Sequence, residues 1–85
     1  QQKQTTDQVA QAEASLAATQ SEQVAARAEL ERAHVTLGRI SELAKSGLAT
    51  AQLLDEARTA QDAAQARVEA LGRQIDAQRA ALALA

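Results

Sequence analysis

The chain contains no cysteine, no proline, no methionine and no aromatic residue. Each absence removes something. Without cysteine there is no disulfide framework and no thiolate ligand for a metal, although the redox state of the compartment stays open. Without aromatic side chains a globular core lacks the bulk that close packing needs at its centre. Without proline the main helix breaker is missing. No run reaches the roughly eighteen apolar residues of a membrane span, and no charged-then-apolar signal segment opens the sequence. Direct membrane insertion is therefore not expected, and targeting information is expected to lie outside this stretch. Nine basic and eleven acidic residues are interspersed, for a formal net charge of -2. No basic stripe follows from that pattern, so nucleic acid is not an expected partner.

What remains is helix-forming material. Of the 85 residues, 23 are alanine, and Gln, Glu, Arg and Leu, which rank close behind it in helix propensity, supply much of the rest. β-Branched residues are few, so strands have little support. An all-α chain follows, with long helices packed side by side through small residues.

The apolar residues recur in sevens. Val9, Leu16, Gln23, Leu30, Leu37 and Ala44 form one series, with Ala12, Thr19, Ala26, Ala33 and Ile40 three residues after its members. Such a repeat is the signature of a coiled-coil seam, in which Thr19 and Gln23 are polar weak points. A second series runs through Leu54, Gln61, Val68, Ile75 and Leu82, accompanied by Ala57, Ala64, Leu71, Gln78 and Ala85. Ala44 and Leu54 are ten residues apart, so one straight helix would rotate its seam between the two series. Two helices folded back on each other satisfy both.

The residues at the break agree. Lys45 complements the carbonyl end of a first helix, Gly47 can take the left-handed conformation that closes it, and Thr50 is a good N-cap for a second. The sequence predicts a long two-helix antiparallel coiled-coil hairpin, with helix 1 at about 7–46, a tip turn at about 46–50 and helix 2 at about 50–84. At about 1.5 Å per residue the rod is expected to be on the order of 50–60 Å long. The opening "QQKQTT" has no apolar repeat and is expected to fray.

Outward pairs such as Glu69 with Arg73 and Asp76 with Arg79 are expected to add a few tenths of a kcal/mol each. Gly38 and Gly72 each cost roughly 1 kcal/mol relative to alanine inside a helix; close approach of a neighbouring helix is one reason for keeping them, and the other reading is that a long rod tolerates two local weaknesses.

Catalytic chemistry finds no foothold. His34 is the only histidine, and no second ligand type lies at metal spacing on its face. Asp55, Glu56 and Asp62 are close in sequence, but a rod has no cleft to desolvate them. Neither a Gly-rich phosphate loop nor a nucleophile beside a base is present. No enzyme activity, cofactor or metal is expected.

The tip carries the one candidate site. On the heptad, Arg39 and Leu43 lie four residues apart on a ridge beside the seam, with Arg39 pointing outward and Leu43 at the seam's edge. An exposed leucine next to a cation near the end of a rod can form a docking surface. The structural alternative is an arginine paired locally with Glu42 and a leucine covering the seam.

Arg39, Leu43 and, seven residues further on, Thr50 resemble the Arg-x3-Leu-x6-Ser motif at the hairpin tip of HlyD-type membrane fusion proteins, the periplasmic adaptors of bacterial efflux pumps and type I secretion systems. "ELAKSGLAT" resembles that family's tip turn, and "LLDEARTAQDAAQARVEAL" resembles the opening of its descending helix, including Leu54, Asp55 and Ala57. One departure is that Thr50 stands where the motif has serine.

The resemblance implies a non-catalytic hairpin in the periplasm. Arg39, Leu43 and Thr50 would meet a TolC-like outer-membrane channel, and neighbouring adaptor protomers would assemble six to a ring. An inner-membrane transporter would be engaged through lipoyl-like and β-barrel domains absent from this stretch. The other readings are a generic antiparallel coiled-coil spacer or dimerisation arm and, with less support in the absence of a basic face, a lipid-binding helix pair.

Overall fold

The structure is a computed structural model and describes residues 2–84, the side chains of residues 2–4 excepted. Two helices account for nearly all of it: α1, Gln2–Lys45, and α2, Ala51–Leu84. They run antiparallel, α1 of 44 residues against α2 of 34, and form a rod of 68 × 15 × 14 Å. Among the described residues there is no strand.

α1 begins five residues before the expected start, which accounts for a rod somewhat longer than anticipated. Extending an existing helix by one residue adds one backbone hydrogen bond and needs no apolar contact, unlike starting a new one. The residues expected to fray are helical in the backbone from Gln2 onward, while Gln1 lies outside the described residues.

The heptads place the helices against each other. Every seam residue from Val9 to Ala44 and from Leu54 to Leu82 is buried or half-buried. Every other residue whose side chain is described is exposed, except Gln20, Ser41, Ala49 and Gly72. Ala85, the last member of the second series, lies outside the described residues. The most buried apolar positions are Ala26, Ala33, Ala57, Leu71 and Ile75. Alanines facing leucines let the two backbones approach closely, while Leu71 and Ile75 supply bulk where it fits.

Two of the polar seam residues have local answers to burial. Thr19, only 4% exposed, donates its hydroxyl to the Ser15 carbonyl at 3.0 Å, one turn back on its own helix. Gln23 reaches across, its Nε2 donating to the Val68 carbonyl at 3.3 Å. Val68 lies one turn before Gly72, and a Cβ added at Gly72 would stand 3.2 Å from that same Nε2. The glycine thus leaves a notch through which a side chain of α1 reaches a carbonyl already used in the α2 ladder. Close approach explains Gly72 but not Gly38, where an added Cβ would meet nothing within 4 Å. Gln61 and Gln78, in the second series, have buried Oε1 atoms without a hydrogen-bond partner.

The outer surface departs from expectation. Neither Glu69 with Arg73 nor Asp76 with Arg79 forms an ion pair. Glu69 accepts a hydrogen bond from Gln65 Nε2 at 3.0 Å instead. Exposed side chains choose among several partners separated by only tenths of a kcal/mol, so spacing alone does not select one. Among the described residues the pairs that form are Arg32 with Glu29 at 2.8 Å, Lys45 with Glu42 at 3.2 Å and, across the hairpin, Arg67 with Glu22 at 4.0 Å.

Candidate functional site at the hairpin tip

The tip is built by two helix ends that satisfy each other's leftover backbone groups. α1 closes through a left-handed glycine: Gly47 has φ +75°. The Leu48 N–H donates to the Leu43 carbonyl at 2.8 Å and the Gly47 N–H to the Ala44 carbonyl at 3.1 Å. This is the paired arrangement of a Schellman motif, which answers the last carbonyls of a helix. Lys45 occupies the last turn, where its charge complements those carbonyls. Three residues after Gly47, Thr50 opens α2. Its Oγ1 accepts a hydrogen bond from the Leu53 N–H at 3.1 Å, and its carbonyl accepts the first helical bond from the Leu54 N–H at 3.1 Å. Five residues, 46–50, make the turn, and hydrogen bonds fix both of its edges.

Arg39 and Leu43 sit on the last two turns of α1. Arg39 is exposed and, among the described residues, makes no hydrogen bond or ion pair. Glu42, the local partner expected for it, is taken by Lys45. Leu43 is 44% exposed. Together they rim an open hollow lined by Gly38, Arg39, Glu42, Leu43 and Ser46. Four of these residues, at spacings of three, four and seven from Arg39, outline the diamond that receives a knob in coiled-coil packing. Gly38 adds no side chain to its edge. On α2 a similar open hollow is lined by Gln52, Asp55, Glu56, Thr59 and Ala60. The carboxylates there face solvent, not a cleft.

Thr50 is placed differently from the other two. Its oxygen is engaged with its own helix, so its first role is structural. Its hydroxyl hydrogen and second lone pair remain to be offered outward.

Two further residues belong to this surface and carried no signal recognised in the sequence. Leu48 projects from the turn, 74% exposed, and Leu53 is 46% exposed. Leu53 immediately precedes the seam residue Leu54, just as Leu43 precedes Ala44. In an antiparallel pair these positions fall on the same broad face, opposite each other. That shared heptad position was the signal available for Leu53. Leu48 had none beyond being apolar in a turn.

Elsewhere, no group of three or more His, Cys, Asp or Glu side chains converges among the described residues. Among the described residues no helix is long and apolar enough to cross a membrane. Comparisons with family models, with curated proteins and with solved structures find no match to the chain.

Proposed function

We propose that this hairpin is a docking element of a periplasmic adaptor, whose tip engages the end of a TolC-like outer-membrane channel and which lines part of an export conduit. The observation that carries the proposal is the surface at the tip. Arg39 is unpaired beside a half-exposed Leu43, with Leu48 and Leu53 next to them, all held by a hydrogen-bonded turn. Exposed leucines on a rigid support lose little conformational freedom on binding, and a cation without a local partner is free to make charge-assisted bonds to carbonyls or carboxylates. The likeness of Arg39, Leu43 and Thr50 to the tip motif of HlyD-type adaptors supplies the identity of the partner. On this reading neighbouring protomers and an inner-membrane transporter complete the assembly through other parts of the adaptor. The hairpin itself does no chemistry.

The test is a titration of the hairpin with the periplasmic end of such a channel, comparing the natural chain with Arg39→Asp. The reversal of charge at an exposed site leaves the fold intact and is expected to weaken binding about tenfold or more. Equal affinity for the two chains refutes the role given to Arg39.

A further inference from the structure

The ion pairs made within the helices share an order. Glu29 pairs with Arg32 and Glu42 with Lys45, and in both the acid precedes the cation by three residues. Where the cation comes first, three or four residues ahead of the acid, the described side chains offer Arg27 with Glu31, Arg39 with Glu42, Arg58 with Asp62 and Arg73 with Asp76. None of these forms among the described residues. The order has a physical cause. An acid on the N-terminal side and a cation on the C-terminal side lie along the helix dipole, and the reverse arrangement opposes it. The order permits a pair without securing one, since Asp76, with Arg79 three residues on, takes neither that cation nor Arg73.

Glu42 stands between two cations, three residues after Arg39 and three before Lys45. Its Oε1 accepts a hydrogen bond from Lys45 Nζ at 3.2 Å. Lys45 has a second reason to be there, because the last turn of α1 leaves carbonyls that a cation complements. Both side chains are exposed, so the pair is weak in itself. What it decides is how one carboxylate is shared. Drawn toward Lys45, Glu42 leaves Arg39 without a partner. Arg39 and Glu42 line the same hollow as Leu43, so a Glu42 released from Lys45 has Arg39 as its other partner within reach on α1 and would neutralise it.

We propose that Lys45 is a positioning residue for the tip: by holding Glu42 it keeps Arg39 free, and Glu42 is a built-in competitor of any carbonyl or carboxylate that Arg39 meets on a docking partner. The purpose of this arrangement rests on the docking function proposed above. The sharing of Glu42 between two cations is a property of the hairpin alone and is tested on it alone.

The experiment follows rotation of the Arg39 guanidinium by nitrogen NMR of its Nε–Hε group, a motion that a bound carboxylate slows. In the natural chain the rate is expected to match that of Arg73, an exposed arginine that likewise makes no ion pair. In Lys45→Ala it is expected to fall about twofold, the shift that one exposed helical ion pair supports, and in the Lys45→Ala, Glu42→Gln double variant to return to the natural value. A merely structural role of Lys45 at the helix end would not be reversed by Glu42→Gln. Titration with the periplasmic end of a TolC-like channel gives the second readout. Lys45→Ala is expected to weaken binding about twofold more in the natural background than in the Glu42→Gln background, where only the charge of Lys45 itself is lost. An unchanged rotation rate in Lys45→Ala, a slow rate that persists in the double variant, or equal losses of affinity in the two backgrounds each overturns the proposal. A natural chain that does not bind the channel overturns the docking function instead, and the rotation rates still decide how Glu42 is shared.

Discussion

Gly47 and Thr50 decide where one helix ends and the next begins, and they do so by different means. Gly47 supplies backbone freedom: φ +75° is a region that side chains with a Cβ rarely enter. Thr50 supplies a hydroxyl oxygen where a backbone N–H would otherwise lack a partner. No neighbouring atom constrains Gly47, since an added Cβ would meet nothing within 4 Å. Any cost of substitution there is therefore conformational and not steric. Gly47→Val is expected to destabilise the hairpin by about 2 kcal/mol, lowering the thermal midpoint by roughly 8–16 °C for a chain of this size. Thermal denaturation followed by circular dichroism checks this, and an unchanged midpoint would mean that the helix end does not depend on the left-handed glycine. Arg39 and Leu43 belong to the same scale but to another purpose: neither is used by the hairpin's own packing to the extent that its size allows.

At the scale of the helices, the two internal glycines separate cleanly. Gly38 faces open space, whereas Gly72 is the notch through which Gln23 reaches the Val68 carbonyl. Gly38→Ala is expected to stabilise the hairpin by about 1 kcal/mol, the full difference in helix propensity. Gly72→Ala is expected to gain less than half of that, because the new methyl displaces Gln23 and a cross-helix hydrogen bond of about 1 kcal/mol is lost. Urea denaturation of the two variants compares them directly, and equal gains would show that the Gln23 contact contributes nothing. Much of this level was legible in the sequence. The seam follows from apolar residues every seven positions, because a helix presents such residues on one side whatever surrounds it. The turn follows from Lys45, Gly47 and Thr50 for equally local reasons. What escaped were features that depend on both helices together. The notch at Gly72 requires knowing that Gln23 lies opposite, and the exposure of Leu53 requires knowing the face it shares with Leu43. The surface ion pairs escaped for the opposite reason. Arg73 and Arg79 have too many nearly equal choices for spacing to fix any one of them.

The whole molecule is a rod with almost no interior, and its possible functions follow from that shape. The rod presents length, two long faces and an end. The repeat is spent on the seam between the two helices, and the faces on either side of it are largely exposed. The end is different: three leucines, a free arginine and a turn stapled by its own hydrogen bonds concentrate apolar surface and charge where the rod terminates. If the tip is the docking surface, contact with a partner must fall off along the rod within a few turns. The most direct measurement places a photoreactive side chain at position 48, in the turn, or at position 24, an exposed site far down α1, and maps cross-links to a TolC-like channel. The account predicts efficient cross-linking from position 48 to the periplasmic end of the channel and little from position 24. Equal yields from the two positions, or cross-linking from position 24 alone, would contradict it.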